Sequence, residues 1–221
     1  MARIARVVVP EYPHHITQRG VRSMAIFGGG DDRRRYLSFM REETEQFGVE
    51  VLSWCLMTNH VHLVAVPSTE DGLAKAIGHA HKAYTRMRNF REGVRGYLFQ
   101  GRFGSCVLDE PHLLAAARYI EQNPVKARMV KVPWEYGWSS ARYHVGERWT
   151  DKLVTDRHLR GLVRDWKEFL LEDDPKAEEV IRQATRTGRP AGDGSFVKLV
   201  EKLTGRDLTK RKAGRPPKQR R

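Results

Sequence analysis

Cysteine is nearly absent: Cys55 and Cys106 are the only two in 221 residues. Each lies in an apolar or mixed strand-like run, which excludes a disulfide framework and a thiolate zinc site. Any metal must be held by His, Asn, Gln or carboxylates. Long apolar runs are missing as well. No stretch of about 18 apolar residues is available to span a bilayer, and MARIARVVVPEYP is too short and too soon broken by prolines for a signal peptide. The expectation is a cytoplasmic, nucleoid-associated protein with no membrane partner. Acidic residues are outnumbered, 27 against 40 Lys and Arg, and the resulting formal charge of +13 points to a polyanion such as nucleic acid. Phosphate-cradling motifs are lacking too, since Gly28-Gly29-Gly30 comes without a GxGxxG or Walker pattern and reads as a flexible connector. What the chain does have is 40% hydrophobic residues, enough for a full core and an extension.

The most informative stretch runs from Val51 to Val66, VLSWCLMTNHVHLVAV. On a strand, residues i and i+2 share a face, so His60 and His62 project side by side with Val61 turned into the core. Two imidazoles make half of a divalent-metal site. The competing reading is a pair of core-edge histidines, but each of those would need its own polar partner once desolvated, and the pairing favours the metal. His79-Ala80-His81 has the same spacing and serves as a control. It lies in Ser68 to Arg91, where Leu73, Ile77, Ala80, Tyr84 and Met87 recur at helical intervals. On a helix i and i+2 diverge by about 200° and cannot converge on one ion.

The surrounding elements follow from periodicity and breakers. Pro13 to Arg19 reads as a strand with Ile16 facing in, Thr17 and Arg19 facing out, and Gly20 ending it. His14 and His15 are adjacent, face opposite ways, and are not assigned to the metal. Asp31 and Asp32 offer N-cap chemistry to a helix striped by Leu37, Met40, Thr44 and Phe47 and stopped by Gly48. Strands over 49–57 and 60–67 flank a Thr58-Asn59 turn. Ser68 to Asp71 resembles a capping box opening a second helix, and YLFQGRFGSCVL, 97–108, reads as a fourth strand. The order β-α-β-β-α-β predicts an α+β, ferredoxin-like (RRM-like) antiparallel sheet with both helices on one face.

A third helix starts near Asp109-Glu110-Pro111 and is expected to end at Asn123, before Pro124. Leu113, Ala117 and Ile120 form its packing side, while His112, Ala116, Tyr119 and Asn123 share another face. Tyr119 there either buries its ring or aims its hydroxyl toward the sheet. Beyond it, 153–184 reads as one or two helices broken near Asp173-Asp174-Pro175. Thr185 to Ala191 opens a polar connector, and Ser195 to Leu203 is a short amphipathic helix. This divides the chain into a catalytic domain over 1–150, a helical extension over 151–185 and a basic tail over 186–221.

A tyrosine hydroxyl, an amide one turn on and two strand histidines together suit DNA-strand transfer. Mg²⁺ or Mn²⁺ held by His60, His62 and Asn123 would orient and neutralise a phosphodiester oxygen while Tyr119 attacks phosphorus. The competing schemes are a DNA-binding regulator that runs no chemistry, and a metal phosphodiesterase in which water attacks and Tyr119 only packs.

MTNHVHLV resembles the histidine-hydrophobic-histidine motif of the HUH endonucleases, and RYIEQNPVKA, Arg118 to Ala127, resembles the tyrosine helix of their single-tyrosine transposases. PHHITQRG and WEYGWSS, Trp134 to Ser140, resemble the REP-associated tyrosine transposases, and the likeness runs through about residues 3–145 in the same order. The resemblance implies a transposase that binds imperfect-palindrome hairpins in single-stranded DNA and cleaves beside them. It implies Tyr119 as nucleophile, a covalent 5′-phosphotyrosine, and His60 and His62 as metal ligands. Many relatives outside this branch carry Gln four residues after the tyrosine; here Asn123 stands there, with Gln122 or a water as the substitute ligand.

The cations expected on DNA are Arg19, Lys82, Arg86, Arg88, Arg102, Arg118 and Lys126, joined in the tail by Arg189, Lys210, Arg211, Lys212, Arg215 and Lys218. For the helix faces, plain solvation is the competing reading. Trp134, Tyr136 and Trp138 either stack bases or pack the Tyr119 helix onto the body, with packing favoured. The Gly-Arg-Pro core of the tail resembles an AT-hook, and Gly188-Arg189-Pro190 is a weaker copy, though a nonspecific electrostatic tether is the preferred role. The extension favours a monomer closed by its own tail over a homodimer.

Overall fold

The computed structural model describes residues 4–155 and 158–209. Four strands, β1 (His14–Arg19), β2 (Val49–Leu56), β3 (His60–Pro67) and β4 (Gly104–Val107), form one antiparallel sheet in the order β2-β3-β1-β4. Helix α1 (Gly30–Gln46) joins β1 to β2, and α2 (Gly72–Glu92) joins β3 to β4. This is the expected ferredoxin-like α+β arrangement. Strand alternation sends Ile16, Val61, Leu63 and Ala65 to one face, where Leu37 and Met40 of α1 and Leu73, Ile77 and Tyr84 of α2 cover them. Full burial of each aliphatic side chain contributes about 1.5–3 kcal/mol, so this layer dominates the stability of the sheet.

The other sheet face is covered by α3 (Glu110–Lys126), α4 (Ala141–His144), α5 (His158–Gly161), α6 (Trp166–Leu171), α7 (Pro175–Thr187) and, at the β4 side, α8 (Gly194–Thr204). Leu52, Val64 and Cys106 of the sheet pack with Leu113 and Ile120 of α3, Leu170 of α6, and Ile181 and Ala184 of α7. Helix α8 is pinned by Phe196 and Val200 against Val7, Val9 and Val107. Among the described residues, the stretch read as one or two helices over 153–184 holds α5, α6 and most of α7, which share a core with the sheet.

Several boundaries depart from expectation for local physical reasons. β4 has four residues instead of filling 97–108. Gly101 sits at φ +58°, in the left-handed region, and breaks the extended run. The preceding residues instead bind the end of β1, with Val21 N–H donating to the Leu98 carbonyl at 3.0 Å and Gln100 N–H to that of Arg19 at 2.8 Å. Helix α3 continues through Pro124 to Lys126, because Pro124 is buried and the turn closes with Ala127 N–H on the Asn123 carbonyl at 2.9 Å. Tertiary packing there outweighs the local bias against helix before proline. Helix α7 extends to Thr187, so Thr185 is helical and not part of a connector.

Caps differ as well. Asp32 sits in the first turn of α1 and accepts from Gly28 N–H at 2.6 Å, while Arg88 and Arg91 of α2 bind its carboxylate at 2.8 and 2.6 Å. Asp71 makes no side-chain cap bond to α2 and pairs with Lys75 instead. The segment after α3 runs along the open edge of β2: Leu56 N–H donates to the Trp138 carbonyl at 2.9 Å, Ser140 N–H to that of Trp54 at 3.0 Å, and the Tyr136 hydroxyl to that of Leu56 at 2.8 Å. Trp134, Tyr136 and Trp138 pack on the body, and they cover an edge that would otherwise offer unpaired backbone groups. Among the described residues, no helix is long and apolar enough to cross a membrane.

Candidate active site

Helix α3 is held from behind by a buried carboxylate. Glu121 Oε1 accepts from Ser53 Oγ at 2.9 Å and Ser140 Oγ at 2.5 Å and pairs with His144 Nδ1 at 2.6 Å, with both ionisable side chains fully buried. Arg118 fastens the same helix to the extension, stacking on Phe169 at 4.7 Å and pairing with Glu172 at 2.8 Å and Asp174 at 3.3 Å. Gln122 Nε2 donates to the carbonyls of Leu170 and Glu172 at 2.8 and 2.6 Å. With three sides fixed, the face carrying Tyr119 and Asn123 is left to line a cleft of about 830 Å³ against the sheet.

The floor of that cleft is the strand pair β1 and β3. Thr17 lies opposite His62 in the antiparallel register, so His15 is a diagonal neighbour of His62 on the same sheet face. The rings of His60 and His62 are 4.9 Å apart, His15 stacks on His62 at 5.2 Å, and the Tyr119 ring stands edge-on to His62 at 5.6 Å and to His15 at 5.9 Å. Sequence reasoning had the parity of His15 right and gave it no role. The diagonal placement across strands 47 positions apart could be read only from the sheet register.

Hydrogen bonds assign the ring nitrogens. Asn59 Nδ2 donates to the Ser23 carbonyl at 3.1 Å, so Asn59 Oδ1 is the acceptor facing His60 Nδ1 at 2.7 Å. His62 Nδ1 lies 3.0 Å from His15 Nε2. Burial, and after it the charge of Arg19, lowers His60 to about 4. Burial lowers His15 to about 3, and burial followed by His15, His60 and Arg19 holds His62 well below the usual imidazole range. The three rings are neutral near pH 7, the state a metal ligand requires. With Nδ1 of each strand histidine engaged, the Nε2 nitrogens of His60 and His62 are the ones that can coordinate.

Asn123 bonds back to its own helix through Nδ2, which donates to the Tyr119 carbonyl at 2.9 Å, so its amide oxygen is what it can offer. Gln122 points into the α6 side and is replaced by Asn123 as the amide lining the cleft. Among the described residues there is no group of three or more His, Cys, Asp or Glu that could hold a metal. The donor set is therefore two imidazoles with an amide, completed by water or substrate oxygen, which fits an ion that works on phosphate.

Arginine supplies the charge around these groups. Arg19, Arg102, Arg182 and Arg186 line the cleft, Arg182 also pairing with Glu179 at 3.2 Å on the exposed side of α7, and none of the described lining residues is acidic. Arg182 and Arg186 of α7 were not anticipated, because the extension was read only for its apolar stripe. Lys82, Arg86 and Arg102 line a second cleft of about 770 Å³ between α2 and the 94–103 loop, so Arg102 bridges the two. Three other expected DNA contacts are intramolecular instead. Arg88 is buried on Asp32 and Glu92, Arg118 is paired as above, and Lys126 pairs with Asp173 and Glu178. Arg189 follows the α7 cap and donates through Nε to the Leu208 carbonyl at 3.1 Å. Lys210, Arg211, Lys212, Arg215 and Lys218 lie outside the described residues.

Residues 9–123 match the family described as "Transposase IS200 like", which takes in both strand histidines, Tyr119 and Asn123. Over 116 residues the chain is 27% identical to a Haemophilus influenzae protein named as a candidate REP-associated tyrosine transposase, a match spanning 48% of this chain and 66% of that relative. The solved structure of a REP-associated tyrosine transposase bound to a REP hairpin shares the fold, with a TM-score of 0.58 at 16% identity over 71% of this chain and 92% of that one. With more than half of its length inside the family match, the chain belongs to the IS200-like transposases.

Proposed function

We propose that this protein cleaves and rejoins single-stranded DNA beside a short hairpin, with Tyr119 as nucleophile. The observation that carries the reading is the placement of the Tyr119 ring 5.6 Å from His62 in an arginine-lined cleft. In the step envisaged, the Tyr119 oxygen forms a bond to phosphorus as the bond to the 3′ oxygen breaks. The products are a 5′-phosphotyrosine and a free 3′-hydroxyl. The phosphodiester energy is retained, so attack by a 3′-hydroxyl reverses the step and joins strands. Arg19, Arg102, Arg182 and Arg186 offset the backbone charge and hold the strand across the cleft. His60 and His62 through Nε2, and Asn123 through its amide oxygen, would hold Mg²⁺ or Mn²⁺, which when bound supplies Lewis-acid stabilisation of the phosphate oxygens. The buried Glu121 cluster and the Arg118 pairs keep α3 from drifting, which matters because an ångström of misplacement is costly at such a site.

Support for the hairpin substrate comes from the solved relative, which is bound to a REP hairpin, and from the second basic cleft beside the first. The test is incubation of the full chain with labelled hairpin-bearing single-stranded DNA and Mn²⁺, followed by denaturing electrophoresis. The expected result is a DNA-protein adduct absent from Tyr119→Phe. Binding without cleavage would reassign the protein as a regulator, and free cleaved ends in both proteins would reassign it as a phosphodiesterase.

A further inference from the structure

Helix α7 reaches the metal-binding edge of the sheet through a line of hydrogen bonds that ends on His62. Thr185 Oγ1 lies 2.7 Å from the Ile181 carbonyl, and a carbonyl can only accept, so the single hydroxyl proton of Thr185 is committed there. The same oxygen lies 2.7 Å from His15 Nδ1 and must therefore accept from it. His15 is then the Nδ1–H tautomer, and its Nε2 carries the lone pair. That lone pair faces His62 Nδ1 at 3.0 Å, so His62 donates, and its own Nε2 is left unprotonated. Cys106 Sγ, 3.2 Å from Thr185 Oγ1, is consistent as a second donor to the remaining lone pair of that oxygen. Thr185, His15 and Cys106 are all buried, so water does not compete for these bonds.

We propose that His15 and Thr185 are positioning residues of the metal site, so that helix α7 of the extension sets which nitrogen of His62 is free to coordinate. The inference rests on His62 being a ligand, as proposed above. Without the Thr185 acceptor, His15 can hold its proton on Nε2. His62 Nδ1 must then accept, and the His62 proton moves to Nε2, the coordinating nitrogen. A ligand in that tautomer cannot bind a cation until the proton is relocated. His60 has a different and shallower anchor, the Asn59 amide in the β2-β3 turn.

The test uses the full chain and Mn²⁺ alone, with affinity read by isothermal titration calorimetry and the His62 tautomer by ¹⁵N chemical shifts of the imidazoles. Wild type should show His62 as Nδ1–H in the absence of metal. Thr185→Val and His15→Phe should bind Mn²⁺ about 10–100-fold more weakly, the range expected for groups that orient a ligating histidine. Thr185→Ser, which keeps the hydroxyl, should restore near-wild-type affinity. Wild-type affinity in Thr185→Val, or a His62 Nε2–H tautomer in wild type, would overturn the proposal. Should Thr185→Val fail to fold, the wild-type tautomer and the Thr185→Ser affinity still decide. If wild type binds no Mn²⁺ and His62→Ala changes nothing, it is the metal reading that fails, and the two failures are told apart.

Discussion

Two His-x-His pairs of identical spacing meet opposite fates in this molecule. His60 and His62 lie on β3 with ring centroids 4.9 Å apart, facing one cleft. His79 and His81 lie on α2 and diverge: His79 is 56% exposed beside Glu43, while His81 is half-buried, stacked on Phe99 at 4.2 Å and bonded to the Tyr36 hydroxyl at 3.0 Å. The difference is one of backbone period alone. A strand returns to the same face every two residues and a helix does not. Spacing in sequence becomes chemistry only once the secondary structure beneath it is known.

The sharpest way to break the comparison is to remove one member of each pair. His62→Ala should lower strand cleavage by about 1,000-fold, equivalent to about 4 kcal/mol of transition-state stabilisation, and should weaken Mn²⁺ binding. His81→Ala should leave Mn²⁺ affinity and cleavage intact and cost about 1–2 kcal/mol of fold stability through the lost stacking on Phe99 and the unpaired Tyr36 hydroxyl. If His81→Ala also abolished metal binding, the two pairs would not be independent.

A pH titration sharpens the same contrast. His14 and His81 are held neutral by burial, lowered to about 4 and about 3. Both folded values lie below the unfolded value of 6.5, so the unfolded chain binds more protons between them. Stability is therefore full above that value and falls as pH drops toward the folded values, by about 1–2 kcal/mol per imidazole at about pH 5. Urea unfolding at stepped pH checks it, and His81→Ala should flatten part of the slope. The smallest effect belongs to His79→Ala, expected to stay within about 0.5 kcal/mol in stability and unchanged in cleavage.

Much of this was legible in the sequence because strand alternation and helix periodicity are local. The order of elements, the facing of His60 and His62, and the placing of Tyr119 with Asn123 on one helix face all follow from two periods and a few breakers. What was not legible depends on distant partners. His15 looked idle because its neighbour His62 is reached through strand pairing, and Thr185 looked like connector because only the tertiary fold shows it bonded to His15. Arg88, Arg118 and Lys126 read as nucleic-acid contacts since charge type alone does not reveal that Asp32, Glu172, Asp174 and Glu178 neutralise them. Pro124 misplaced a helix end because burial overruled the local preference.

Mass spectrometry of the trapped adduct shows whether Tyr119 is the residue joined to DNA. After reaction with a hairpin-bearing single strand and nuclease trimming, a nucleotide 5′-phosphate is expected on the peptide containing Tyr119. A modification on another tyrosine, such as the exposed Tyr97 beside the second cleft, would contradict it.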